Sequence, residues 1–433
     1  MQQMRPFQIA ILAVFVILAI GGLYFFATFK GISGSNNVGA LTIWGTLPQA
    51  AMTTTLEELK QTHQEYSKVQ YIERPTDTFD VDLADALASG TGPDVIIITE
   101  EQLLTERSKL TVIPFKTIPE RTYKDSYISI GELFLTTDGT YGIPFLVDPL
   151  VLYYNRTALS KAGYAVPPHT WEEVLGATPA LTQKSGSTIV KSAIALGTYD
   201  NNRNARAIIS LLLLQSGNSI AVNGSRGMES TLIGGAGQGT GASPAESAIN
   251  FYTQFADPAK IVYSYNRGLP DARKTFIAGD TALYIGFASE YAFLKASNPN
   301  LDFDMTTIPA PQTASSRVDY AHIYALAIPK NAKNQTGSYL VASALAGESV
   351  VKTAAVRIGI APALRSLLSS RTDSANADVY YPLTLISKAW LSPAPAVTDR
   401  IFAGMITNVI SGSLSVKEAL QNADDSLNAA LAR

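Results

Sequence analysis

Residues 141–155 read YGIPFLVDPLVLYYN. Apolar and aromatic side chains run almost without break from Ile143 to Tyr154, the pattern of a strand covered on both faces. Yet Asp148 stands in the middle with Pro149 directly after it. A carboxylate among apolar neighbours is unfavourable by several kcal/mol unless something pairs with it. A proline cannot donate to a ladder. Such an acid is tolerated where it faces a wet cleft, or as a structural partner to a backbone amide or an arginine.

The segments before this stretch fix its surroundings. Residues 41–44 (LTIW) form a short strand ended by Gly45, 52–66 have helical character, 69–72 read as a strand and 80–88 as a helix. Ser89 to Pro93 close that helix, and 94–98 (DVIII) follow as a strand. Strands of continuous apolar residues alternating with helices predict an α/β unit built on a parallel sheet.

Downstream, a helix is expected over 156–162, closed by Gly163, and another after Thr170, where Glu173 completes a T-x-x-E capping box. Residues 193–196 and 282–285 read as strands, as does 324–328 before Pro329. Helices are expected over 204–215, from Ser243-Pro244, and over 271–278. The C-terminal segment is an amphipathic helix capped by Ser415 with Glu418 reaching back.

At 433 residues the chain exceeds one ordinary core, so two lobes are expected. Hydrophobic residues are 46% and charged ones 16%, which suits a folded protein. A net charge of −3 gives no reason to expect nucleic acid as a partner. The absence of cysteine excludes disulfides, thiol catalysis and cysteine zinc sites. His63, His169 and His322 are scattered without ligand spacing, so no metal and no cofactor are expected.

Residues 7–29 (FQIAILAVFVILAIGGLYFFATF) carry no charge and are long enough to span a bilayer. No small-x-small cleavage pattern follows, so 1–30 is read as an uncleaved anchor and 31–40 as a polar linker. Arg5 before the run favours the N-terminus inside and the bulk of the chain outside the cell membrane.

Several chemical motifs are absent or fail on context. The chain has no phosphate-binding G-x-x-x-x-G-K-[ST], no G-x-S-x-G and no H-E-x-x-H. Residues 234–241 (GGAGQGTG) lack the strand and spacing of a dinucleotide fingerprint and read as a surface loop. Ser349 to Lys352 matches S-x-x-K without its partner motifs and reads as helix surface. Asp424-Asp425 reads as a solvated helix face. Glu100-Glu101 follows a strand, but neighbouring loop residues are not expected to aim together, so the pair is not read as catalytic.

One ordered set of segments goes further: 41–44, Gly92-Pro93-Asp94-Val95-Ile96, Tyr141 to Pro144, Leu152 to Asn155, 168–174 (PHTWEEV), 276–283 (FIAGDTAL), 325–329, and 411–420 (SGSLSVKEAL). Together they resemble the bacterial extracellular solute-binding proteins of the maltose-binding type, the ligand-capturing subunits of ABC importers. The resemblance runs over about 41–431. It implies an α/β, two-lobed, periplasmic-binding-protein-like fold with the ligand cleft between lobes, here preceded by one N-terminal transmembrane helix. The lobes are expected over 41–150 plus about 267–325, and over 151–266 plus about 326–433.

By that resemblance Asp148 points into the cleft and hydrogen-bonds ligand hydroxyls, while Pro149 marks the passage to the hinge. Trp44, Gly45 and Thr46 end the first strand, where early ligand contacts fall. Glu100 and Glu101 follow the 94–98 strand, and Tyr199 and Asp200 follow a strand of the second lobe. Phe287, Ser289 and Tyr291 follow 282–285, with Ser289 where the family commonly carries a stacking tryptophan. Trp390 lies in a loop expected to reach the cleft. Ile98 and Gln102 replace the aromatic and the arginine of the maltose-binding pattern, so the ligand is not expected to be simply maltose. Carbohydrate recognition uses aromatic faces with carboxylates at the rim, and core packing remains open for each aromatic.

The implied role is non-enzymatic: capture of a small-molecule ligand, a carbohydrate, by hinge closure, acting as a monomer with an ABC permease in the membrane. A membrane-anchored sensor or surface adaptor on the same fold, and a glycan-active enzyme with paired carboxylates, are the other readings.

Overall fold

The 142–155 stretch is one strand of 14 residues, Gly142–Asn155, because it serves two sets of partners in turn. In a computed structural model that describes residues 38–225, 227–234, 242–369 and 374–432, it pairs antiparallel with Asp319–Ala327 from Gly142↔Ala327 to Pro149↔Ala321. From Leu150 onward its partner is Thr281–Phe287, running Leu150↔Phe287 to Tyr154↔Leu283. Ala361–Pro362 pairs at Leu146 and Val147 on the edge opposite Asp319–Ala327, and Phe303–Thr306 pairs from Leu152 to Asn155 on the edge opposite Thr281–Phe287. Pro149 stands at the point where one ladder hands over to the next, where a missing N–H does least harm.

Two half-sheets therefore share this strand. On one side Leu41–Gly45 lies between Val69–Glu73 and Val95–Thr99, all parallel, and Asp319–Ala327 joins them antiparallel to the long strand. On the other side Thr281–Phe287 pairs parallel with Thr188–Ile194, and Gln183–Ser185 forms the edge. Val95 to Ile98 are buried on both faces, as expected of parallel strands under helices.

The helices follow their apolar faces. Gln49–Thr62 sets Met52, Leu56 and Leu59 against Ile43 and Val69 in one core of the first lobe. Ala205–Gln215 (ARAIISLLLLQ) is apolar almost all round and lies inside the core of the second lobe, with Trp171, Tyr252 and Phe402. The capping boxes at Thr170/Glu173 and Ser415/Glu418 form, and Ser243 closes a third with Glu246.

Strand pairing revises the expected lobe boundaries. Residues 281–287 and 303–306 pair with the second half of the long strand, whereas 267–325 was expected in the first lobe. Residues 319–327 pair with Val95–Thr99, and the helices Gln335–Leu345 and Glu348–Ile358 pack into the first-lobe core. Only near Ser387–Lys388 does the chain return, after which Trp390, Phe402 and Leu420 enter the second core. An apolar strand pattern does not encode which half-sheet it joins, and so the boundary was misplaced. Asp424 also departs from expectation: it is buried, accepting hydrogen bonds from Ser230 Oγ at 2.5 Å and Asn428 Nδ2 at 3.1 Å.

Among the described residues no single helix is long and apolar enough to cross a membrane. The expected anchor at 1–30, nearly all of the linker and residues 235–241 of the glycine-rich loop lie outside the described residues.

Candidate functional site between the lobes

Glu100 and Glu101 open the short helix Glu100–Glu106, which begins directly at the end of the Val95–Thr99 strand. Gln102 accepts the Thr99 backbone N–H at 3.1 Å and holds the first turn in place. Contrary to the sequence expectation, the two acids do aim at a common partner, because they lie in a helical turn rather than on a loop. That partner is His322, on the Asp319–Ala327 strand.

His322 Nδ1 lies 2.9 Å from Glu100 Oε1, and its Nε2 lies 3.8 Å from Glu101 Oε2. Glu100 Oε2 also accepts the Ile323 backbone N–H at 2.9 Å. The imidazole stacks on Phe287 with ring centres 4.6 Å apart, and Tyr320 meets it edge-on. Burial works against a charged ring, but the carboxylates of Glu101 and Glu100 outweigh it and hold the pKa up at about 9. His322 is thus an imidazolium at neutral pH, donating from Nδ1 to Glu100.

Asp148 is the register partner of His322. It is 3% exposed and its Oδ1 accepts the Ser289 backbone N–H at 3.0 Å. Burial raises its pKa to about 6, against the pull of the Ser289 hydrogen bonds and the His322 charge.

From the second lobe, Arg206 reaches across. It is the single charged residue of the Ala205–Gln215 helix. Its Nη2 donates to Glu101 Oε2 at 2.8 Å, and its Nη1 donates to Asp399 Oδ2 at 2.6 Å and to Pro395 O at 3.0 Å. Burial opposes the guanidinium charge, but Glu101 and Asp399 more than compensate and its pKa is raised. Asp399 also accepts the Tyr199 hydroxyl at 2.5 Å. A second contact between the lobes runs from Thr105 Oγ1 to Pro393 O at 3.2 Å.

The structure thus brings Asp148, Glu100, Glu101, Phe287 and, through Asp399, Tyr199 into one network, with the Ser289 backbone at its edge. The other expected residues lie elsewhere. Trp44 packs with Phe79, Ile96 and Ile98, and the Arg74 guanidinium lies 3.7 Å over its ring. Gly45 is a close-approach position, since a Cβ there would stand 3.0 Å from Ile97 Cβ. Thr46 is half-buried beside it. Asp200 is exposed and faces Arg267 at 3.8 Å. Tyr291 packs on Phe303 and, with Ser289, Met305, Lys352, Tyr380 and Tyr381, lines a separate cavity of about 520 Å³.

Trp390 is the clearest correction. It does not reach the cleft: it is buried in the second core, stacked on Phe402, with its indole N–H donating to Ser210 Oγ at 3.1 Å. A serine inside an apolar helix supplies the partner that a buried indole needs.

Sequence reasoning passed over His322, Arg206 and Asp399. For His322 the partner lies 222 residues away, and no local spacing announces it. For Arg206 there was a signal: a lone cation in an otherwise apolar helix needs a buried counter-charge. Glu100, Glu101 and His322 each bring a metal-ligating type of atom, all within 4.8 Å of one another. Here Glu100 is hydrogen-bonded to the imidazole at 2.9 Å and Glu101 to the Arg206 guanidinium at 2.8 Å, so these groups are held in a polar network.

Residues 54–380 match the profile of a family described as bacterial extracellular solute-binding protein. No curated protein matches the chain in sequence. Among solved structures, the GacH receptor of Streptomyces glaucescens, described unliganded and with acarbose, superposes with a TM-score of 0.72 at 17% identity, over 91% of this chain and 98% of that one. The cyclic alpha-maltosyl-1,6-maltose binding protein of Arthrobacter globiformis gives 0.74 at 16% identity, over 91% and 99%. The sugar-binding protein MalE of Xanthomonas citri gives 0.72 at 18%, over 91% and 98%. These likenesses establish the two-lobed fold.

Proposed function

We propose, for a chain that belongs to the bacterial extracellular solute-binding proteins, the role of the solute-capturing component of an ABC importer, taking a carbohydrate between its two lobes. The observation that carries this reading is the position of the polar network. Buried carboxylates, an imidazolium and a guanidinium meet where the two lobes touch, beside the strand that joins them. Charged groups of this kind are unfavourable inside a protein, and a ligand-binding junction gives them a use.

Asp148 accepts hydrogen bonds from ligand hydroxyls in this reading, while Phe287 and Tyr199 offer aromatic surface. Trp44, Gly45, Thr46, Asp200 and Tyr291 stand outside the network and are not needed for it. The chain binds and releases its ligand unchanged. Its bulk is extracytoplasmic, residues 7–29 anchor it to the membrane, and it works as a monomer with a membrane permease.

Thermal unfolding of the full-length protein in mild detergent against mono- and oligosaccharides, polyols, amino acids and peptides tests the reading. A specific ligand at one hundred times its Kd stabilises by about 2.7 kcal/mol. A shift with a saccharide, recovered unaltered, supports it. A shift confined to amino acids or peptides replaces the ligand class, and turnover of a glycan overturns the binding role. Release from membranes by alkaline wash would remove the anchor.

A further inference from the structure

The charges around the junction do not balance once the lobes are considered separately. The first-lobe side carries Glu100 and Glu101 against one cation, His322. Glu100 takes the close contact with that cation and a backbone N–H as well. Glu101 has His322 only at 3.8 Å and the Tyr320 hydroxyl at 3.5 Å; its close partner is Arg206. Arg206 also holds Asp399 at 2.6 Å, and the helices that carry the two pack into the second-lobe core, so this pair balances within its own lobe.

When the lobes part, Arg206 keeps Asp399 and Glu101 loses its guanidinium. What remains is a nearly buried carboxylate whose nearest cation is shared with a better-placed rival. Asp148, on the joining strand, adds further negative charge at the same place. A neutral saccharide donates hydroxyl hydrogen bonds to Glu101 but brings no charge. A protonated amine does both, and a charge-assisted hydrogen bond is about twice as strong as a neutral one.

We propose that the ligand held between the lobes is an amine-bearing saccharide, whose ammonium takes on Glu101 the place that Arg206 fills in its absence. The inference rests on the carbohydrate-receptor reading above and specifies its ligand. Arg206 then acts as an internal stand-in: it neutralises Glu101 where the lobes meet and keeps only Asp399 when the ligand's cation takes its place.

The test is calorimetric titration of the full-length protein at neutral pH with three disaccharides of one size: the glucosamine disaccharide, its N-acetylated form, and cellobiose. Tighter binding of the amine by about ten-fold or more over both others is expected, a difference of about 1.4 kcal/mol. Glu101→Gln should abolish that preference, so that the amine, its N-acetylated form and cellobiose bind within about two-fold of one another whatever happens to their shared affinity. Equal or tighter binding of cellobiose overturns the inference and leaves the receptor reading standing, as does a preference that survives Glu101→Gln. No binding of any saccharide in this or a wider neutral panel removes the receptor reading and the inference together.

Discussion

Asp148 and His322 face each other across the two antiparallel strands that run through the junction of the lobes, a buried acid opposite a buried imidazolium. Their opposite charges do not neutralise locally, because His322 is turned to Glu100 and Asp148 to the Ser289 backbone. Each is therefore tied to a different segment, and the stability of the junction depends on both.

Asp148→Asn is expected to raise stability above pH 6. The folded pKa of Asp148 stands at about 6, above the ordinary 3.8, so its ionisation is disfavoured in the native state. Its favourable contribution is present below pH 3.8 and is lost as pH rises through 6. An asparagine still accepts the Ser289 N–H without that desolvation, which stabilises by about 1–2 kcal/mol at neutral pH. Chemical denaturation at pH 7.5 reads this, and a less stable variant would show that Asp148 is a structural ion partner.

His322 predicts a second loss in the same direction at higher pH. Its folded pKa of about 9 lies above the ordinary 6.5, so its contribution is complete below pH 6.5 and is lost as pH rises through 9. The charged groups facing it are Glu100, Glu101, Asp148 and Arg206. His322→Asn leaves the two glutamates without their imidazolium and costs about 3–5 kcal/mol at pH 6, less at pH 9.5. Denaturation at the two pH values should show that convergence. Parallel losses at both would assign His322 a packing role alone.

The Arg206–Glu101 ion pair joins the lobes, so its removal should loosen them. Arg206→Met is expected to increase the radius of gyration of the ligand-free protein in small-angle scattering. A double-mutant cycle with Glu101→Gln should give a coupling of about 1–3 kcal/mol. An unchanged scattering curve would mean that other contacts, such as Thr105 to Pro393, set the separation.

Trp390 separates core from cleft. Trp390→Ala removes a buried indole from its stack on Phe402 and should destabilise by about 3–5 kcal/mol, with ligand affinity unchanged well below the melting temperature. A large loss of affinity with little loss of stability would return Trp390 to the binding site.

The readable parts of this protein were those with a local cause. Alternating apolar strands and helices announced the α/β lobes, and Thr170, Ser243 and Ser415 marked helix starts through their own side chains. Asp148 was legible because an acid in an apolar strand demands a reason. What could not be read depends on distant pairing. Glu100 and Glu101 converge only because a strand more than two hundred residues later delivers His322. The lobe boundary was misplaced because the strand pattern of 324–328 fits either half-sheet equally well. Trp390 was expected at the cleft, and its other reading, core packing, could not be chosen from the sequence because Ser210, which takes its indole N–H, lies 180 residues away.

The Gly142–Asn155 strand has a mechanical consequence. Its ladders continue from one lobe to the other with gaps in donors at Pro144 and Pro149. A connection of this kind behaves as a torsion bar: it yields by twisting about its own length more readily than by swinging like a slack loop. Displacement then grows with distance from the bar. In such a twist Asp148, seated on the strand, and Ser289, bonded to it at 3.0 Å, move least, while the Arg206–Glu101 pair between the lobes parts. The carboxylate at the axis then keeps its place whatever the angle between the lobes.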